Sequence, residues 1–402
     1  SFPTRRSSDL VVEKLIGTNF KLNPHATLGY CDGEYTYLPD NWYDEVIHSS
    51  VRQEYNASVS GNTGRLSYFA SVGYLNDGGQ VSNSKYERYT SRSNVEYQAK
   101  SWLKLTSNMS FTHYISQTPS YSSDTYGSST NVFYYANSMG AIYPLYVRDA
   151  QGNIIYDNGR ARYDANNTNF TRPAFTGNAV RDNEYNQFRG YGDIFFGQWG
   201  AVVTPIEGLS ISANLSANAI NSRGNSLYSR YGSGSSVDGS ASVSSSRTLS
   251  VNQQYLVSYQ RTFAELHNMN VLAGYEQYKI KDQSLGGSNT HLFDPFIGEI
   301  NNAKGPADDK SVSSSTDNYM TEGFLARGSY DYDNRYFANA SIRRDASSKF
   351  APGHRWGTFW SAGLAWQMNK EDFLKNIKEI NLLKLKISYG ENGNDMGMGW
   401  TT

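Results

Sequence analysis

Apolar and polar residues alternate strictly along much of this chain. Leu209, Ile211, Ala213, Leu215, Ala217 and Ala219 interleave with Ser210, Ser212, Asn214, Ser216 and Asn218. One face of that stretch is apolar and the other small and polar, which is the period of a β-strand. The same period runs through Leu103, Leu105, Met109 and Phe111, through Phe324, Ala326, Tyr330 and Tyr332, and through Tyr336, Ala338, Ala340 and Ile342. It returns in Trp356, Thr358, Trp360, Ala362, Leu364 and Trp366, and in Leu383, Leu385, Ile387 and Tyr389. With further runs near 52–60, 65–75, 86–97, 186–203, 250–261 and 269–281, the pattern predicts about a dozen strands of ~9–13 residues, longer than the ~5–6 of ordinary sheets.

The links between these runs alternate in length. Short ones fall at 62–64, 98–101, 204–208, 261–268 and 333–335; long ones fall at 76–85, 116–184, 221–249, 281–318 and 347–355. An up-and-down strand order places all short links at one end and all long links at the other, the layout of an outer-membrane barrel. A strand of ~10 residues at ~3.3 Å per residue, tilted ~45°, climbs ~23 Å, close to the ~25 Å apolar band of such barrels.

The two faces point the same way. Their polar residues are Ser, Asn and Thr rather than the Lys and Glu of a soluble surface. Charges are nearly absent from the apolar faces, where an Arg or Lys at mid-bilayer costs ~2–4 kcal/mol. Tyr68, Tyr74, Tyr86, Tyr89, Tyr330, Tyr332, Tyr336, Trp356, Trp360 and Trp366 stand at strand ends, where interfacial girdles belong. The alternative is an aromatic-rich soluble β structure such as a carbohydrate-binding sandwich. One stretch, 369–378, reads as helical: Phe373, Leu374 and Ile377 share a side and Asn369 is placed to cap it. It is taken as a decorated turn.

Composition narrows the classes. The chain has 402 residues, Lys+Arg 36 against Asp+Glu 37, only 18% charged residues and 14% aromatics, including 32 Tyr. No basic excess exists to neutralise phosphates, which argues against a nucleic-acid binder. No apolar run approaches ~18 residues, so helical membrane spans are not expected. The single Cys31 can form neither an internal disulfide nor a thiolate cage. Candidate chemistry is thin. His25, His48, His113, His267, His291 and His354 are scattered, without a His-Glu-x-x-His pair. Asp331-Tyr332-Asp333-Asn334 reads as a hairpin turn, since the later Gly and Glu of a calcium loop are missing. No nucleophile elbow or phosphate cradle exists. The expectation is a non-enzyme without cofactor or metal.

Several segments then match a known family. Asn41-Trp42-Tyr43-Asp44-Glu45-Val46-Ile47 followed by Tyr55-Asn56-Ala57-Ser58-Val59-Ser60-Gly61 resembles the start of the barrel in SusC/RagA-type TonB-linked outer-membrane proteins. So do 68–81 and 86–95. The most distinctive stretch is 327–350, with Ser341-Ile342-Arg343-Arg344-Asp345-Ala346-Ser347-Ser348-Lys349-Phe350. Arg355-Trp356-Gly357-Thr358-Phe359-Trp360, Glu371-Asp372-Phe373 and Leu383 through Asn394 follow in the family's order. Ala346 stands where the family usually has Gly, and Lys349 and Lys386 where it has Arg. The resemblance covers nearly everything after residue ~40.

That resemblance implies an all-β fold: a partial antiparallel up-and-down transmembrane β-barrel, about a dozen strands of a larger one, with the plug domain absent. Residues 1–10 share no pattern with the rest and are expected to be a non-native lead-in, a native lead-in being the alternative. Residues 11–51 would lead into the barrel, and 52–402 would be its wall, with long extracellular loops at about 116–184, 221–249 and 281–318. The implied protein is a nutrient importer of the Gram-negative outer membrane, energised through TonB by a missing N-terminal region. It would take up glycans or peptides with a SusD-like lipoprotein lid. The partners are then that lipoprotein, TonB, outer-membrane lipid and an oligosaccharide or peptide substrate, with no nucleic acid. The competing class is a secreted or surface β-sheet protein, carbohydrate-binding or adhesive, without a pore.

The candidate ligand surface is the Tyr-rich long loop bearing Tyr121, Tyr126, Tyr134, Tyr135, Tyr143, Tyr146 and Tyr156. Flat rings stack on sugars or peptide side chains and phenols hydrogen-bond at little entropic cost. The substrate-binding candidates are Tyr134, Tyr135, Tyr143 and Tyr146. Equally, these rings could pack the loop on itself or against the lid.

Overall fold

A computed structural model describes residues 40–119, 132–139, 144–164, 177–232, 238–374, 377 and 379–395, plus the backbone of two short strands at 30–31 and 35–37. Twelve strands form one antiparallel sheet: β1 (Arg52–Asn62), β2 (Leu66–Asp77), β3 (Lys85–Lys100), β4 (Leu103–Thr118), β5 (Gln187–Ile206), β6 (Leu209–Tyr228), β7 (Ser240–Phe263), β8 (His267–Thr290), β9 (Ser311–Tyr332), β10 (Tyr336–Ser347), β11 (Trp356–Gln367) and β12 (Lys384–Gly390). Strands adjacent in sequence are adjacent in the sheet throughout, including β4 and β5 across the long connection. The links alternate short and long from β1 to β11 as the sequence pattern requires, and the β11–β12 connection, 368–383, is a long exception at the short-link end.

Most of the short links use left-handed backbone that few residues tolerate. Gly208 has φ 83°, and a Cβ there would lie 2.2 Å from the Gln260 carbonyl oxygen. At the β9–β10 turn Asp333 and Asn334 both have positive φ, and Asp331 accepts from the Asn334 amide at 3.1 Å. This is the hairpin turn read from the sequence.

Register assigns every strand a greasy and a polar face. Val59, Ala70, Ser93, Met109, Gly197, Leu215 and Ala217 lie in one continuous layer through β1–β6. Ile211, Val257, Ala273, Ala326, Ile342, Trp360 and Leu364 continue it through β6–β11 to Ile387 on β12. Among the described residues no second layer covers this face: Phe324 is 54% exposed, Leu364 61% and Ile387 72%. A soluble sandwich would press those side chains against a partner sheet.

Aromatic belts bound the greasy face. At the long-link end run Tyr55, Tyr74, Tyr89 and His113 with ring spacings of 6.5, 4.9 and 6.2 Å, and Tyr255, Tyr275, Phe324 and Trp356 at 6.4, 5.1 and 6.1 Å. At the short-link end run His267, Tyr332, Tyr336 and Trp366 at 4.9, 6.4 and 6.5 Å. Trp356 and Trp366 begin and nearly end β11; ten residues at ~3.3 Å, tilted ~45°, separate the belts by ~23 Å. Two of the expected girdle rings lie elsewhere. Tyr86 is on the polar face, 6.1 Å from Tyr114, and Trp360 lies between the belts.

The central strands exceed the expected length: β7 and β8 have 24 residues each and β9 has 22. The stretches 221–228, 240–249, 281–290 and 311–318, read from the pattern as parts of long loops, are paired strand. They are rich in Ser, Gly and Asn, so neither face is greasy and hydrophobic alternation vanishes. Ladder hydrogen bonds persist without it, helped by hydroxyl pairs at Ser222–Ser246 (2.7 Å), Ser284–Ser315 (2.8 Å) and Ser288–Ser311 (2.7 Å).

The main packed core among the described residues lies off the sheet, at its long-link end. Three short helices, α1 (Trp42–Val46), α2 (Val132–Ser138) and α3 (Ala179–Tyr185), bring Trp42, Val46, Val132, Ala136 and Ala179 against Val81, Met139 and Leu145. Asn41 and Asn178 cap α1 and α3 by accepting from the Tyr43 and Arg181 amides. A forked ion pair ties this cap together: Arg148 meets Asp40 at 2.8 and 3.0 Å, and Asp40 also accepts from the Leu145 amide at 2.6 Å. A smaller core of Leu227, Ala241 and Leu292 seats the 291–310 connection on the outer side of the extended strands.

The expected helix at 369–378 is not formed among the described residues of that stretch. A 3₁₀ turn at Met368–Lys370 takes its place. Asn369 turns away from a capping role, accepting from the Leu383 amide and donating to the Asn381 carbonyl, both at 3.3 Å. Residues 1–10 lie outside the described residues.

Candidate functional site

The polar face carries a concentrated group of charged side chains near the long-link end of β8–β11. Arg343 on β10 donates its Nε to both oxygens of Asp345 at 2.8 Å and its Nη2 to Glu276 on β8 at 3.2 Å. Residues two apart on a strand share a face, so the Arg343-x-Asp345 spacing places the partners side by side. Gly323 on β9 lies opposite Asp345 in register; a Cβ there would sit 2.0 Å from the Asp345 carboxylate. The glycine therefore makes the room that the carboxylate occupies.

The chain beyond β12 folds onto the same place. Asp395 accepts from the Tyr319 and Ser347 hydroxyls, each at 2.6 Å, and those bonds hold its carboxyl below the usual carboxylate range. Lys349 lies over the Tyr319 ring at 5.0 Å and donates to the Asp395 carbonyl at 3.3 Å. Tyr319, Ser347 and Asp395, with Arg343, Asp345, Glu276, Tyr278 and Phe359, line a recess of about 440 Å³. Arg343 is 47% exposed there, and Glu276 and Asp345 about a third, so water and solutes reach them.

Chemically the recess offers a guanidinium fork, carboxylate acceptors and aromatic faces, which suits hydrogen bonding and stacking. Among the described residues no three His, Cys, Asp or Glu side chains converge as a metal set.

The Tyr-rich loop is divided. Tyr134 and Tyr146 pack against the apolar core of the cap. The Tyr146 ring lies 5.0 Å from Tyr163, and its hydroxyl donates to Glu45 at 3.5 Å. Burial first, and then the Glu45 carboxylate, push the Tyr146 phenol up to about 12. Tyr163 donates to Glu184, and burial and that carboxylate raise its phenol too. Tyr143 and the Tyr135 side chain, like Tyr121 and Tyr126, lie outside the described residues. Beside the cap, the Arg160 guanidinium sits 3.9 Å over Phe296 and within 6 Å of the Tyr231 and Tyr185 rings.

The Glu276–Arg343–Asp345 group was not singled out by sequence reasoning. Arg343, Asp345 and Ser347 belong to the most distinctive stretch of the family resemblance, which was the available signal. Glu276 and Asp395, 67 residues before and 48 residues after their partners, carried none.

No family model matches the chain. A TonB-dependent receptor of Formosa agariphila is 23% identical over 378 residues, covering 92% of this chain and 35% of the relative. A second from that organism is 25% identical over 355 residues, covering 88% and 32%. The TonB-dependent receptor SusC of Bacteroides thetaiotaomicron is 22% identical over 367 residues, covering 88% and 35%. The chain thus spans about a third of the length of these relatives. Among solved structures, the RagAB peptide transporter superposes with a TM-score of 0.68 at 22% identity, covering 96% of this chain and 41% of that one. The sequence is thus similar to TonB-dependent receptors, SusC among them, and its twelve-stranded sheet is a partial antiparallel up-and-down β-barrel with the fold of the matching part of the RagAB peptide transporter.

Proposed function

We propose that this chain forms part of the barrel wall of a Gram-negative outer-membrane importer, driven through TonB, that takes up oligosaccharides or peptides beneath a SusD-like lipoprotein lid. Its work is transport rather than catalysis. The observation that carries the reading is the uncovered greasy face bounded by two aromatic belts, with a water-accessible polar face behind it. Buried in lipid, that face has a partner; in water it would be a large exposed apolar surface. The soluble adhesive alternative would need a second layer over it.

On this reading the polar face lines the lumen, and the recess around Arg343 touches whatever passes. Tyr134, Tyr135, Tyr143 and Tyr146, on the long connection between β4 and β5, are the proposed contacts for substrate or lid. The test uses the full-length receptor with Arg343→Ala and Glu276→Ala together. Uptake of labelled substrate should fall at least several-fold while the heat-shifted gel band of the folded barrel is retained. Unchanged uptake would remove the recess from the path. A receptor that dissolves freely instead of sedimenting with outer membrane would end the importer reading.

A further inference from the structure

At the short-link end the connection from β11 to β12 returns to the aromatic belt at Glu371. Glu371 is its clasp: Oε1 accepts from the Tyr336 hydroxyl at 2.6 Å and from the Trp366 indole at 2.9 Å, while Oε2 meets Arg335 at 3.3 Å. Tyr336 and Trp366 are belt residues, their rings nearly parallel and 6.5 Å apart. The clasp brings Phe373 to 6.4 Å from Trp366, on the same side of the sheet, yet leaves it 64% exposed. Ile377, Leu382 and Leu383 on the same connection are exposed as well. The other short-link turns among the described residues have three residues or fewer between strands. This one is longer, exposes several apolar side chains among its charged ones and is anchored to the belt.

We propose that the 368–383 connection is an interfacial foot, seating Phe373 and Ile377 among the headgroups and upper acyl carbons of the phospholipid leaflet at the short-link end. The occupant follows from continuity. Tyr and Trp belts mark the headgroup level of a bilayer, and Phe373 extends that belt outward from Trp366 on the lipid side. A Glu371 carboxylate satisfied by an indole, a phenol and a guanidinium holds the foot there without presenting a bare charge to lipid. The inference rests on the membrane-barrel reading and adds a second, in-plane attachment to it.

The test is nitroxide accessibility on a cysteine-free background of the full-length receptor in phospholipid nanodiscs, with labels at Phe373→Cys, Ile377→Cys, Leu364→Cys and Glu379→Cys. The Phe373 and Ile377 labels should collide with oxygen several-fold more, relative to a water-soluble nickel chelate, than the Glu379 label does. A lipid-like Leu364 label with Phe373 and Ile377 as water-accessible as Glu379 overturns the foot and leaves the barrel standing. A water-accessible Leu364 label overturns the barrel reading itself, and the foot with it. Both foot positions are exposed, and either label leaves the Glu371 clasp intact.

Discussion

Single residues in the cap reveal how it is held. The Tyr146 phenol lies between the Leu145 core and the Glu45 carboxylate, an environment that disfavours a phenolate. An unfolded phenol titrates near ~10. A folded value near 12 means that its contribution to cap stability is complete below about pH 10 and is lost as pH climbs toward 12. Ultraviolet difference spectra of the full-length receptor against Tyr146→Phe should therefore show a phenolate step close to pH 12. Protease cutting of the cap should rise over the same interval. A step near pH 10 would contradict the buried, carboxylate-facing placement. None of this was legible beforehand: the Tyr-rich loop was visible in composition, but whether a given ring faces ligand or core depends on residues a hundred positions away, such as Glu45.

Among the elements, the strand pairs themselves were the most legible part. Period two in runs such as 209–219 follows from one greasy and one polar face on each strand, and the alternation of link lengths from an up-and-down order whose two ends differ. Legibility stopped where the greasy face does. Above the belt, 240–249 and 281–290 pair through Ser, Gly and Asn, and a row of hydroxyls carries no hydrophobic signal. Segments that assemble only in three dimensions were equally silent. Trp42, Val81, Val132, Leu145 and Ala179 share one core, and Asp395 returns to Ser347. The 291–310 connection depends on such an assembly: Leu292 is buried against Leu227 and Ala241, and Glu299 reaches Arg223 at 2.8 Å. Leu292→Ala should cost ~2–5 kcal/mol locally, the range for truncating a buried leucine. Hydrogen exchange should accelerate across 291–310, including the Lys304 amide bonded to the His291 carbonyl, while the β7–β8 ladder between the belts keeps its protection. Equal acceleration in both places would mean that the connection is not a separate unit.

For the whole molecule, everything turns on which side of the sheet meets lipid. Ile342 and Ser341 are neighbours on β10, roughly midway between the belts, and they point to opposite faces. Ile342 is 52% exposed beside Trp360 and Ala326 on the greasy side. Ser341 pairs with Ser361 at 2.7 Å on the polar side. An arginine introduced on the lipid side near mid-bilayer costs ~2–4 kcal/mol. One on the lumen side stays hydrated and forfeits only the serine pair, about 1 kcal/mol. Full-length receptor carrying Ile342→Arg should therefore yield a much smaller heat-shifted folded fraction when refolded into phospholipid vesicles, and Ser341→Arg a fraction near that of the parent. The two substitutions share chemistry, strand and depth, so only sidedness separates them. Equal yields would mean that the face here assigned to lipid does not meet it, and a larger loss for Ser341→Arg would invert the barrel wall.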